Sequence, residues 1–131
     1  METPAAELNL VLAWAGIVAG IAGGFLLGLN FHRENWLGGY SSLRRRLLRL
    51  AHISMFGLAI INLLFYFTVR AVAMPPGLLQ TASWGFGIGA VTMPLCCVLM
   101  AGDVRWRSGF AVPVLSLLVA AGATLWGVLQ A

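Results

Sequence analysis

The chain is 131 residues long, 60% of them hydrophobic and 9% charged, with a formal net charge of +4 at pH 7. A water-soluble domain this short cannot bury so much apolar surface, so the composition belongs with membrane proteins. All eight basic residues are arginine, and they gather in the gaps between apolar runs. The positive balance is therefore a topology signal and gives no reason to expect nucleic acid as a partner.

Four apolar runs, approximately 8–30, 46–69, 78–102 and 110–130, each come close to the ~20 residues an α-helix needs to cross a bilayer. They are too long and too uniformly apolar for barrel strands. In lipid the backbone must satisfy its own hydrogen bonds, so the expected fold is all-α: an integral membrane four-helix bundle in one transmembrane domain.

The first run follows an acidic front end with Glu2 and Glu7 and no basic n-region, so it reads as a retained span and not as a signal peptide. Gly16, Gly20, Gly24 and Gly28 recur at every fourth position. That glycine zipper lets another backbone approach closely, with an intrachain helix favoured over a second subunit.

The connection 31–45 contains Asn35-Trp36-Leu37-Gly38-Gly39-Tyr40, a turn-rich stretch, then Ser41-Ser42, an N-cap for a helix beginning at Leu43. Arg44, Arg45, Arg46 and Arg49 form a polybasic interfacial segment at its start. With Arg105 and Arg107 in the third connection, they are expected to meet anionic lipid headgroups, each attracted by about 1 kcal/mol.

His52 lies a turn or two inside the second run. Imidazole is the usual axial ligand of haem b, and Arg49 nearby could pair with a propionate. At ~100° per residue, Asn62 and Tyr66 fall within ~80° of His52 and make a polar seam. His52, Arg49 and Asn62 are thus the expected cofactor-binding residues for haem b or a quinone headgroup. A membrane haem b normally takes two histidines, however, and His32 is placed in a loop. A single intramembrane histidine is more commonly a strut between helices.

Met74-Pro75-Pro76-Gly77 breaks the chain and makes the second and third helices antiparallel neighbours. The third run carries Gly85 and Gly89 as a second close-packing pair, then Met93-Pro94, where a kink or local opening is expected. Cys96-Cys97 follows, at a depth similar to that of His52. A sulfur ligand is geometrically conceivable there, but the spacing is not that of a thiol oxidoreductase and small packing residues are the expectation. Pro113 sits harmlessly near the start of the fourth run.

The arginines also orient the chain. Both basic connections are expected in the cytoplasm and both termini on the extracytoplasmic side, in a bacterial inner membrane. Trp14, Tyr66, Trp84 and Trp126 fall towards one membrane boundary and Trp36, Tyr40 and Trp106 towards the other, as anchoring belts. No carboxylate lies inside a span, which argues against coupled ion transport. The small multidrug-resistance exporters have a similar length, but their intramembrane glutamate is missing. The dual-topology fluoride channels do too, but their phenylalanine and threonine pattern is missing. The favoured function is a small accessory or structural subunit of a larger, energy-transducing membrane complex, bound to other membrane subunits or to copies of itself. The alternative is a redox subunit holding haem b or quinone near His52, and a third reading is a homo-oligomeric channel or carrier for a small solute. Neither a metal site nor a self-sufficient catalytic constellation is expected.

Overall fold

The computed structural model describes residues 4–131, so Glu2 of the acidic front end lies outside the described residues. Among those residues the chain is helical without strands: α1 (Pro4–Gly28), α2 (Leu43–Ala71), α3 (Pro76–Gly102) and α4 (Ala111–Leu129). Short 3-10 segments cover Trp36–Gly38 and Val104–Phe110. All four spans are long and apolar enough to cross a membrane, which makes this a multi-pass integral membrane protein. At ~1.5 Å per residue, α1, α2 and α3 exceed the ~30 Å hydrocarbon layer, whereas α4 with 19 residues barely matches it. The 3-10 segment ahead of α4 supplies the remaining length.

Capping decides where α2 begins. Ser42 has extended backbone angles, and its hydroxyl oxygen accepts from the Arg45 backbone N–H at 3.3 Å. Helix therefore includes Leu43 to Arg45, ahead of the apolar run read from position 46. The same hydroxyl donates to the Leu37 carbonyl at 2.8 Å. This ties the cap to a tight reversal in which Leu37 (φ 53°), Gly38 (φ 88°) and Gly39 (φ 94°) are all left-handed. Two of these are glycine, for which the region carries no Cβ penalty; leucine adopts it at a cost of about 1–2 kcal/mol.

At the opposite end, α2 stops at Ala71 and α3 starts at Pro76, where a missing N–H costs nothing because first-turn donors have no intrahelical acceptor. Pro94 is different. It lies within α3, yet the helix runs unbroken past it to Gly102.

Up-and-down order brings the C-terminus of α1, the N-terminus of α2, the C-terminus of α3 and the N-terminus of α4 to one end. Seven arginines collect there, and Arg70 alone lies towards the other. Within the bundle α2 packs along α1 and α3, α1 also reaches α3, and α4 packs chiefly on α3. Phe65, Leu79, Ala82, Phe86 and Ala120 form the main apolar cluster, with the Phe65 and Phe86 rings 5.2 Å apart.

Small residues govern the closest approaches. A Cβ on Gly16 would come within 3.0 Å of Ala59 Cβ and 3.1 Å of the Met55 carbonyl, while Gly20 lies under the Phe56 ring and Gly24 under His52. Gly28 has nothing within 4 Å of that position. On α3, a Cβ on Gly85 would come within 2.7 Å of the Ser116 carbonyl and 2.8 Å of Ala120 Cβ, and one on Gly89 would meet Leu117. Gly16, Gly20 and Gly24 of α1 thus meet α2, Gly85 and Gly89 of α3 meet α4, and Gly87 faces Leu12 of α1.

Candidate functional site: polar groups in the helix interfaces

The most deeply buried polar cluster joins three helices. Asn9 of α1, Asn62 of α2 and Ser83 of α3 are each fully buried. Asn62 Nδ2 donates to the Leu58 carbonyl one turn back at 2.8 Å, which turns its Oδ1 towards α1. Asn9 Nδ2 donates to that oxygen at 2.7 Å and to the Ser83 carbonyl at 3.3 Å. Asn9 Oδ1 then faces the Ser83 hydroxyl at 2.6 Å, and that hydroxyl also lies 2.7 Å from the Ala5 carbonyl. A hydroxyl has one proton, so the last two contacts share it. Every heavy atom in the cluster has a partner, and the amide orientations follow from the Leu58 bond. Lipid supplies no competing hydrogen bonds. Such interhelical bonds are nevertheless worth only about 0.6–2 kcal/mol each, because the separated helices find local partners too.

Asn62 was expected to share a ligand with His52 and Arg49, but the three turn to different partners. His52 lies at the α1–α2 contact, its Cε1 2.7 Å and its Nε2 3.3 Å from where a Cβ on Gly24 would be. Phe56 stands edge-on to the imidazole with ring centroids 5.3 Å apart. Nδ1 is buried without a hydrogen bond. Ten residues of helix, about 15 Å, separate it from Asn62. Arg49 points the other way: Nη1 donates to the Tyr40 carbonyl at 3.3 Å and the guanidinium covers the Tyr40 ring at 4.3 Å.

Arg45 departs furthest from the headgroup position expected of it. Only 3% exposed, it is enclosed by the loop that precedes it. Its guanidinium lies 5.3 Å from the Trp36 ring and 5.9 Å from the Tyr40 ring, and Nη1 donates to the Glu34 carbonyl at 3.3 Å. The physical reason is that a guanidinium is weakly hydrated and its planar face stacks on aromatic rings, so a nearby Trp and Tyr can draw it inward. Nη2 is left without a partner. Trp36, expected as a belt anchor, is half-buried under Arg45. Arg44, Arg46, Arg105 and Arg107 remain exposed.

The cysteines do not converge on His52. Both are free and buried; Cys96 Sγ lies 3.5 Å from the Cβ position of Gly109, beside the α3–α4 connection, whereas His52 faces α1. Among the described residues no group of three His, Cys, Asp or Glu side chains is placed to hold a metal ion. An apolar groove of about 190 Å³ runs between α1, α2 and α3, with Gly16, Met55, Ala59 and Pro94 in its walls. Compared with protein-family models, with curated proteins and with solved structures, the chain matches none.

Sequence reasoning identified Asn62 and His52 as polar residues of the membrane region and passed over Asn9 and Ser83. Asn9 is a polar position at the start of an apolar run and Ser83 follows Gln80 and Thr81 in another, and that was the available signal. The bonds from Asn9 to Asn62 and Ser83, across 53 and 74 residues of chain, are a tertiary fact.

Proposed function

We propose that this protein is a small accessory or structural subunit of a larger membrane assembly of the energy-transducing kind, in a bacterial inner membrane. The observation that carries this reading is the Asn9–Asn62–Ser83 cluster. The protein's most deeply buried polar groups serve to join its own helices, leaving the outer faces of α1 and α4 for neighbours. Trp14, Val18, Ile21 and Phe25 on α1 are all at least 60% exposed. The termini are assigned to the extracytoplasmic side, supported by the collection of seven arginines at the opposite end of the bundle.

The test is native electrophoresis of the full chain extracted from its own membranes in mild detergent. A discrete, stoichiometric complex that disperses in Trp14→Ala/Phe25→Ala, with helix content unchanged, is the expected result. A chain that migrates alone in every mild detergent overturns the proposal.

A second reading rests on the unpartnered Nδ1 of His52, a hydrogen-bonding group without a bond at membrane depth. In a redox subunit it would serve haem b or a quinone. For either ligand to reach the ring, α1 must yield, because the imidazole edge lies on Gly24. A b-type absorbance, or extracted quinone, that disappears in His52→Leu would establish this reading in place of the first.

A further inference from the structure

An open groove of about 420 Å³ lies at the arginine-bearing end of the bundle, between the first turn of α2 and the last turn of α3. We propose that it seats one anionic phospholipid, with the phosphodiester at Arg44 and the acyl region along α2 and α3. The proposal depends on the membrane-spanning fold and not on the accessory role.

The lining separates into two kinds of surface. Arg44 is its only ionised side chain, and Leu37, Leu43, Met100 and Val104 form an apolar wall. Leu43 and Val104 are respectively 44% and 49% exposed, so the wall is open to an acyl chain. Ser42, at the base, has its hydroxyl engaged with the Leu37 carbonyl and the Arg45 N–H, so it shapes the groove and leaves the anion to Arg44.

Charge selects the headgroup. α2 has no acidic residue in its first turn, so its positive end is unopposed there and adds to the charge of Arg44. Asp103, the nearest carboxylate in sequence to the α3 wall, accepts from the Arg105 backbone N–H at 2.9 Å. A soluble anion would gain from Arg44 but not from the apolar wall. A neutral apolar molecule would gain from the wall and leave the positive end unmatched. An anionic lipid satisfies both, and the groove lies at the bundle end, where a bilayer changes from hydrocarbon to phosphate.

This seat differs from general attraction of headgroups by basic residues in predicting one critical arginine among several exposed ones. The test is native mass spectrometry of the delipidated full chain in dodecyl maltoside, titrated with phosphatidylglycerol. One lipid per chain is expected, with binding about tenfold weaker in Arg44→Gln, a loss typical of one charge-assisted contact. Arg46→Gln, an exposed arginine outside the groove, should change binding by no more than about twofold. Ala101→Phe, which fills the groove without altering charge, should abolish the adduct and provides an independent reading if Arg44→Gln does not fold. Phosphatidylcholine and inorganic phosphate should each bind markedly more weakly than phosphatidylglycerol. Equal weakening by Arg44→Gln and Arg46→Gln overturns the proposal, as does an adduct retained in Ala101→Phe. Inorganic phosphate binding as tightly as the lipid overturns it in favour of a soluble anion.

Discussion

Asn62 and His52 are both on α2 and both face α1, yet one is met by a complementary amide and the other by a glycine backbone. Around Asn62 each polar atom has a partner from another helix or the preceding turn. At His52 the close fit is steric, and Nδ1 has no partner. Close packing and polar satisfaction are therefore separate properties of a membrane interface, and the second distinguishes structural polar residues from those with bonding capacity to offer. Lipid makes the distinction sharper, because water is not at hand to complete an unfinished set.

The largest effect should come from the completed cluster. Asn62→Leu strips the Asn9 amide of the closer of its two acceptors and should lower stability in detergent by about 1–3 kcal/mol, the cost of stranding a buried N–H. Asn9→Leu should act similarly, and a double-mutant cycle should show coupling of roughly 0.6–2 kcal/mol between them. Strictly additive losses would mean that the amides are held by separate partners, and the comparison would collapse.

Next is Gly85→Ala, whose methyl would meet the Ser116 carbonyl and Ala120 on α4. Backbone cannot swing aside as a side chain can, so overpacking should cost about 1–3 kcal/mol and loosen α4 from α3. Reversible unfolding, with a cysteine-free background and a spectroscopic pair on the two helices, would measure both effects. Gly24→Ala should be milder, since the group it meets is the His52 ring, which has rotamer freedom. Equal costs at the two positions would show that His52 is as immovable as backbone.

His52→Leu sharpens the contrast from the other side. Removing an unpartnered nitrogen while preserving bulk should leave stability within about 1 kcal/mol of the starting protein or raise it. A loss as large as that of Asn62→Leu would show that His52 does have a partner, from a ligand or a neighbouring chain. The smallest effect belongs to Gly28→Ala, which meets open space and should change stability by no more than ~0.5 kcal/mol.

Much of the architecture was legible before any coordinates. Uninterrupted apolar length identifies spans because the bilayer penalises every unsatisfied backbone group alike, and Pro75-Pro76 marks a break because proline lacks the donor a helix interior needs. Ser42 was readable as a cap for the same local reason. Burial of Arg45 was less accessible, since charge favours the headgroup layer and only the folded loop brings Trp36 and Tyr40 over it.

By itself, then, the sequence determined that the chain has four spans able to cross the membrane, where proline and a serine cap interrupt them, and which end carries the arginines. These depend on composition and on interactions within a few residues. Tertiary structure decided that Gly16, Gly20 and Gly24 meet α2, that Asn62 is completed by Asn9, itself held by Ser83, and that His52 Nδ1 is left without a partner. A helical face can be read from periodicity, but its partner depends on the rotation and depth of another helix, and a shift of one residue, about 100° and 1.5 Å, would have separated Asn9 from Asn62.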